Sequence, residues 1–547
     1  MSSNFKIKNT NSSPDDSKSN EIDSLKNKYQ KKTDKQHILD NPDTYTGSIE
    51  EIDDESGWVF NNDKMMYKQY KYIPGFFKLF DESIVNCRDH VIRMKTKTGS
   101  KIKQVSYIDI DIDRNTGIIT MSNDGDGIDV IKHPEYDIWI PEMIFAHLRT
   151  STNYNKNEKK IVGGKNGFGI KLVLIWSKWG KIETVDHHRQ LKYTQEFSNN
   201  LDVINKPKIR KISQKASPYT KVSFLPDFEK FGFSNVQEML SDDIMSLFEK
   251  RIYDIAAITG GNIKVKYNKK VIPTNNFQKY VDLYIGNKTE RPRVYESNGD
   301  RWEYVVAITP DAVSEFMHVS FVNGIYTSKG GKHVEYILNQ ITKKMIEFIK
   351  KKKKITVRPS TIKEHLMLFL RCDIDNPSFD SQTKDYLNTP SSKFGSTCKI
   401  SDQVITKLAK MGVMDMAVSL SEIKTNNSLK KNDGKKVKNI RGITKLTDAN
   451  FAGTNKSKEC ILILCEGDSA KTGIISGLVK EDRNYIGVYP LKGKIMNVAG
   501  EKREKIYNNA EIKDIIQILG LKSDTDYSDQ GKIDKLLRYG KVIFMTD

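Results

Sequence analysis

Apolar side chains recur along this chain with two different periods, and the change of period marks out its elements. Phe76, Phe77, Phe80, Ile84 and Val85 fall at helical spacing and predict a helix through Phe80–His90. Glu82 and Asn86, four residues apart, share one face of it, so an acid and an amide stand beside a buried stripe. Ile118 to Ile128 reads instead as a strand ending in a turn with paired glycines, Gly125 and Gly127. Leu172 to Trp176 is an apolar, helix-like run, and Ile341 to Ile349 again has helical periodicity. Strand and helix patterns alternate between about 266 and 420. Cys460 to Cys465 is continuously apolar, as expected of a strand buried on both faces of a parallel sheet. Glu466 stands at its carboxyl end, where such sheets bind ligands. Lys541 to Asp547 repeats the pattern of strand followed by acid. Residues 1–28, rich in Ser, Asn, Asp and Lys, have the composition of a disordered tail. Residues 424–455 read as a basic linker.

Composition narrows the class. A length of 547 residues implies several domains with substantial cores. The net charge of +19 favours a polyanionic partner such as nucleic acid, although a solvated lysine-rich surface gives the same number. Five cysteines without a CxxC pair point to a reducing, intracellular compartment and away from zinc. The nine histidines show no metal spacing, and His187-His188 is expected in an exposed strand or turn. No apolar run approaches the roughly 18 residues that span a membrane, and the N-terminus lacks a signal peptide's apolar region.

The densest chemistry lies in Ile161–Lys171, with four glycines, two lysines and an asparagine in eleven residues, directly before the Leu172 run. Glycine permits close backbone approach, and a helix N-terminus offers free N–H groups and partial positive charge. Together they suit a phosphate. The spacing is neither a Walker loop nor a GxGxxG turn, so alone it equally describes an ordinary glycine-rich loop.

In combination the motifs are recognisable. Glu82-x3-Asn86, Asn123-x-Gly125-x-Gly127 and Gly163-Gly164-x-Asn166-Gly167-x-Gly169 resemble the ATP-binding motifs shared by gyrase, heat-shock chaperones, histidine kinases and mismatch-repair MutL proteins. Within that clan the chain resembles eukaryotic-type DNA topoisomerase II. The supporting phrases include Asn41 to Ser48, Phe321-Val322-Asn323-Gly324, Asp380-Ser381-Gln382-Thr383-Lys384, Glu466-Gly467-Asp468-Ser469 and Pro490-Leu491-Lys492-Gly493-Lys494. The resemblance runs in order from about Tyr29 to the last residue and implies an α/β multi-domain chain. A GHKL (Bergerat) ATPase sandwich would occupy 29–265 and a transducer domain, related to a ribosomal-protein fold, 266–423. A partial, Rossmann-like TOPRIM domain would follow the linker at 456–547.

The resemblance also implies roles. Glu82 is the general base, on an apolar helix able to desolvate it, and Asn86 holds the magnesium of ATP. Asn123 reads adenine, and Ser151, Thr152 and Asn153 contact ribose and phosphate. Gly164, Lys165, Asn166, Gly167, Phe168, Gly169, Ile170 and Lys171 form a phosphate lid. Lys384, with Gln382 and Thr383, reaches the γ-phosphate from the transducer, and Tyr29 crosses to the partner's nucleotide in a homodimer. Glu466 and Asp547 are TOPRIM acids for Mg2+. Lys350, Lys351, Lys352, Lys353 and Lys354 would meet double-stranded DNA held in the clamp, although they also read as a solvated helix end. Lys492 and Lys494 resemble residues near the cleaved strand. His90 stands where the family usually has Asn and Phe168 where it has Tyr; the Asp89-His90 pair is similar to versions in large DNA viruses.

The expectation is an ATP-hydrolysing N-terminal gate of a type IIA topoisomerase, whose intact form passes one duplex through a break in another. The chain stops at the first Asp of the TOPRIM DxD, and none of its tyrosines takes the cleaving role, so it is expected to retain ATPase activity only. The alternative is a stand-alone ATP-dependent DNA clamp or chaperone-like ATPase; Glu466 and Pro490 to Lys494 argue against it. The implied location is the nucleus for a cellular enzyme, or host cytoplasm or virus factory for a viral one.

Overall fold

Helix α1 (Pro74–Thr96) organises the first part of the molecule. Pro74 opens it where a missing N–H is harmless, and Arg93 and Lys95 in its last turn oppose the negative end of its dipole. The apolar stripe read from the sequence is buried: Phe76, Phe80, Ile84 and Val85 are all in the core, each worth about 1.5–3 kcal/mol of burial. Phe77 is only half-buried. The computed structural model describes residues 25, 28–150, 160–164, 167–310, 315–431, 433–501 and 503–546. It divides into two units, one of residues up to Phe348 with Ile362–Val413, the other of Ile349–Thr361 with Met414–Asp547.

In the first unit α1 packs on a nine-stranded mixed sheet. Its main strands are β1 (Tyr107–Ile112), β2 (Ile119–Asp124), β3 (Ser177–Asp186), β4 (Leu191–Ser198), β5 (Tyr219–Pro226) and β6 (Lys264–Tyr267), in the order β6-β1-β2-β5-β3-β4. Burial alternates strictly along β2, so Asn123 shares the core face with Ile119 and Met121. Short helix α2 (Gly169–Ile175) and helix α3 (Asp242–Thr259) join α1 on that core. Ser241 caps α3 by accepting from the Ile244 N–H, and Phe248 stacks on Phe80 with ring centroids 4.0 Å apart.

This sheet does not end at 265. Lys264–Tyr267 pairs in parallel with β1, and Lys270–Val271 adds a further edge. A second sheet follows in the order β7 (Arg293–Asn298), β8 (Trp302–Ile308), β10 (Leu366–Cys372), β9 (Met317–Val322) and Ile325–Tyr326. The inner strands β9 and β10 run parallel, as a crossover through the long helix α4 (Lys332–Lys353) allows.

The second unit holds a three-stranded parallel sheet, β11 (Ile461–Glu466) between β12 (Ile486–Leu491) and β13 (Lys541–Met545). The centre of β11 is buried, as its unbroken apolar run requires. Strand β13 differs: it is an edge with every residue exposed, including Val542, Ile543 and Phe544. The expected linker is structured as well. Helix α5 (Val413–Lys431) covers its start. Further on, Asp448 accepts from Arg538 and Tyr539, and Ala449 and Ala452 are buried beside β11. Specific pairing thus overrides a composition that is locally lysine- and glycine-rich. Among the described residues no helix is long and apolar enough to cross a membrane.

Candidate functional site

Glu82 is buried on the face of α1 that carries Asn86, and two ammonium groups close on it. Lys384 Nζ lies 2.8 Å from Glu82 Oε1 and Lys78 Nζ lies 3.0 Å from the same oxygen. Burial acts to raise the carboxyl, but the charges of Lys384 and Lys78 outweigh it and hold the group at about 2. The helix does desolvate this acid, as expected; the two cations outweigh that effect, so Glu82 stands as a paired carboxylate. Lys78 also binds Asp81 at 3.0 Å, and Arg251 Nε donates to Asp81 at 2.6 Å. Burial opposes the Asp81 charge, yet these cations keep its carboxyl well below the usual carboxylate range.

Lys384 arrives from the loop after β10 with φ of 64°, a left-handed conformation costly for a lysine. Its backbone N–H bonds Ser381 O, and Thr383 Oγ1 donates to Asp385 at 2.9 Å, which fixes the loop. Gln382 and Lys384 line a cavity of about 280 Å³ with Val162, Gly163 and Gly164.

The glycine-rich lid is anchored by a residue that motif reading passed over. Both oxygens of Asp89 accept backbone bonds at 2.9 Å, from the N–H groups of Gly163 and Gly164. Burial raises the Asp89 carboxyl against these two amides and Arg88. Asp89 lies seven residues after Glu82 and three after Asn86, so its place on the same stripe was readable from spacing. At the far end of the lid, Lys171 Nζ donates to Thr150 O at 2.6 Å and Gly167 O at 2.7 Å. Its ammonium, which burial pushes down to about 8, ties the two ends of the loop together. A Cβ on Gly169 would collide with the Glu82 carboxylate, which explains a glycine opening α2. Phe168 and Ile170 pack half-buried against the core, Phe168 with its centroid 6.0 Å from Tyr45.

Asn86 Nδ2 donates to Glu82 O at 2.7 Å, which sets the rotamer of the amide. Asn123 is buried at the end of β2 and donates to Asp124 O at 2.8 Å. His90 packs under the following turn, close to Gly125. Burial holds its imidazole down at about 4, so it is neutral near pH 7. Asn323, from the Phe321–Gly324 phrase, is fully buried and joins the lid to the second sheet: Nδ2 donates to Val162 O and Ile374 O, and Oδ1 accepts from Ile374 N–H. Arg88 of α1 reaches Asp373 at 2.7 Å. Neither Asn323 nor Arg88 was given a role from sequence, because the partners of Asn323 are 51 and 161 residues away and that of Arg88 is 285 residues away.

Other expected positions are scattered. Tyr29 is exposed. Ser151, Thr152, Asn153, Lys165, Asn166 and Asp547 lie outside the described residues. Lys350 to Lys354 are exposed at the end of α4, where Lys354 turns left-handed and bonds Lys350 O. Glu466 is exposed at the carboxyl end of β11 and starts helix α6 (Gly467–Gly477), with Lys492 and Lys494 exposed after β12. His187 and His188 occupy a turn after β3 as expected, but His187 is not exposed, and both rings approach the buried Asp126.

Known proteins share this arrangement. A family model for DNA gyrase B matches residues 273–437. DNA topoisomerase 2 of Acanthamoeba polyphaga mimivirus is 43% identical over 532 residues, 96% of this chain and 40% of that protein. DNA topoisomerase 2 of Arabidopsis thaliana is 42% identical over 526 residues, 95% of this chain and 34% of that one. The chain thus spans well under half the length of these relatives. The crystal structure of the ATPase region of Saccharomyces cerevisiae topoisomerase II superposes with a TM-score of 0.66 and 38% identity, covering 73% of this chain and 100% of that one. This likeness in sequence and in fold shows that the chain belongs to the type II DNA topoisomerase family.

Proposed function

We propose that this chain binds and hydrolyses ATP and is the nucleotide-operated N-terminal gate of a type II topoisomerase. The observation that carries the reading is the buried Glu82–Lys384 pair at 2.8 Å, an acid on helix α1 and a cation from the loop after β10 brought to one point beside the glycine-rich loop. Glu82 orients and deprotonates the attacking water, and Lys384 neutralises charge developing on the terminal phosphate. Asp89 holds the first two lid glycines, while Lys171 secures its end. Asn123 reads the adenine edge with the donor and acceptor of its amide. By the family resemblance, Ser151 to Asn153 and Lys165 to Ile170 supply the remaining ribose and phosphate contacts.

Asn86 suits the magnesium that accompanies ATP. Its Nδ2 is engaged by the Glu82 carbonyl, which leaves a hard amide oxygen to offer, and magnesium needs few protein ligands. Asn86 would hold the cation, which would neutralise phosphate negative charge that otherwise repels the attacking oxygen. Glu466 offers a second hard oxygen at the carboxyl end of β11.

The gate works as a homodimer on double-stranded DNA, with Tyr29 reaching the partner's nucleotide and Lys350 to Lys354 meeting phosphates without reading bases. Residues 29–265, 266–423 and 456–547 serve as ATPase, transducer and TOPRIM portions. The place of work is the nucleus for a cellular protein, or the host cytoplasm or virus factory for a viral one. The test is Glu82→Gln. ATP binding by calorimetry should persist while turnover falls at least about 10²-fold, the scale of losing a general base. Near wild-type turnover would place the base elsewhere.

A further inference from the structure

A second cluster of ligating side chains gathers at the Asn123–Ile128 turn, and none of the roles above uses it. Asp126, in the middle of that turn, is buried, and the turn after β3 brings His187 and His188 to it. One ring nitrogen from each histidine and one oxygen of Asp126 all lie within 4.8 Å of one another. His187 Nε2 is 3.7 Å from Asp126 Oδ1, and His188 Nε2 is 3.6 Å from Asp126 Oδ2. The two imidazole centroids are 3.9 Å apart. We propose that Asp126, His187 and His188 form a binding site for a divalent first-row transition cation, Zn2+ foremost, that clamps the Gly125–Gly127 turn to the β3–β4 turn.

The distances favour a cation over a proton. Separations of 3.6 and 3.7 Å are too long for hydrogen bonds. The separation of His188 Nε2 from Asp126 Oδ2 lies a few tenths of an ångström above the roughly 3.3 Å between ligand atoms placed tetrahedrally about zinc at about 2.0–2.1 Å. Side chains this close that do not bond directly leave a gap of ion size. His187 keeps one nitrogen free for an ion: its Nε2–H donates to Lys101 O at 3.0 Å, which leaves the lone pair of the buried, unpartnered Nδ1 to ligate. Asp126 is held in place from behind, with Oδ1 accepting from the Lys103 N–H at 2.8 Å, so the carboxylate is positioned before any ion arrives.

The backbone supports the clamp. Ile128 N–H donates to Thr184 Oγ1 at 2.9 Å and Val130 N–H to Asp186 Oδ2 at 2.9 Å, so the two turns are already registered on either side of the cluster. Arg189, the nearest guanidinium in sequence, is paired with Asp129 and Asp186, which removes its charge from competition. Two imidazoles and one carboxylate select Zn2+, Co2+ or Ni2+ over Mg2+, which prefers all-oxygen shells. Side-chain exposure of 40% at His188 leaves a fourth position open to water.

The test uses the full chain, untagged, nucleotide-free and stripped with chelator, titrated with Co2+ and followed by visible d–d absorption. The expected result is one ion per chain at micromolar or tighter affinity, displaced by Zn2+ and unaffected by millimolar Mg2+. The spectrum should lack thiolate charge transfer, since no cysteine belongs to the cluster. His188→Ala, a partly exposed position that should not endanger folding, is expected to weaken binding at least 10-fold. The His187→Gln/His188→Gln pair should abolish it, with circular dichroism confirming a folded chain. Absence of Co2+ binding at 1 mM would overturn the proposal, as would binding unchanged in the double variant. A raised His188 titration midpoint by NMR with no metal binding would likewise overturn it, leaving an ion pair with Asp126. None of these readouts depends on ATP hydrolysis.

Discussion

Replacing Lys384 and Glu82 singly and together measures how tightly helix α1 and the loop after β10 are joined at the proposed site. At 2.8 Å and an effective dielectric of about 20, their direct attraction is about 6 kcal/mol before desolvation. Removing one partner of a buried pair costs about 3–5 kcal/mol, because the other charge is left in the interior. Lys78 remains 3.0 Å from Glu82 and softens that cost, so Lys384→Met should destabilise the chain by about 2–3 kcal/mol. Glu82→Gln should cost a similar amount, and the double variant far less than the sum. The coupling expected from urea unfolding at pH 7.5 is about 1–3 kcal/mol. Its pH dependence has a definite sign. The folded carboxyl of Glu82 sits at about 2, below its ordinary 4.5, so its contribution is fully present above pH 4.5 and is lost as pH falls towards 2. The advantage of wild type over Glu82→Gln should therefore be constant from pH 7.5 to 6 and narrow below about 4.5. Additivity within about 0.5 kcal/mol at pH 7.5 would refute the reasoning, since two groups bonded to each other cannot act independently.

Asp89→Asn keeps the shape of the lid anchor but has only one oxygen for the two amides of Gly163 and Gly164; hydrogen exchange there should quicken and stability fall by about 1–3 kcal/mol, and unchanged exchange would show that the lid is held by other contacts. A non-hydrolysable ATP analogue should convert monomer to dimer in sedimentation, and deleting residues 1–32 with Tyr29 should weaken this; a monomer at saturating analogue would count against the gate. Changing Lys350 to Lys354 to Ser should reduce any DNA stimulation of ATP turnover, and stimulation in the parent chain should decline with salt; stimulation untouched by the change would move the DNA sensor elsewhere.

The local part of this architecture was legible in the sequence. The period of Phe76 to Val85 located α1, and the four-residue step from Glu82 to Asn86 placed both on its inner face. The apolar block Cys460 to Cys465 gave the buried centre of a parallel sheet. What escaped was what depends on distant partners. Glu82 looked like an acid in apolar surroundings because Lys384 is 302 residues away and Lys78 has no apolar pattern to mark it. The stretch after 424 looked like a linker because composition does not reveal that Asp448 pairs with Arg538 and Tyr539. Strand β13 has the same apolar pattern as β11, yet its residues are exposed while the centre of β11 is buried, a difference the apolar pattern alone does not carry. The histidine turn was legible as a turn, but its approach to Asp126 comes from the register of β3, not from spacing.

The pairing of Lys384 with Glu82 means that this lysine already has an anion. A phosphate reaching it must displace a carboxylate rather than water. The terminal phosphate of a triphosphate, with more charge than one carboxylate, can compete; a diphosphate that stops short of Lys384 leaves the pair intact. Exchange also changes Glu82 itself. Parted from Lys384, its carboxyl rises from about 2 towards the ordinary range and gains basicity. In the proposed role the substrate would thus free the base that activates its attacking water, and a site holding the wrong nucleotide would keep that base engaged.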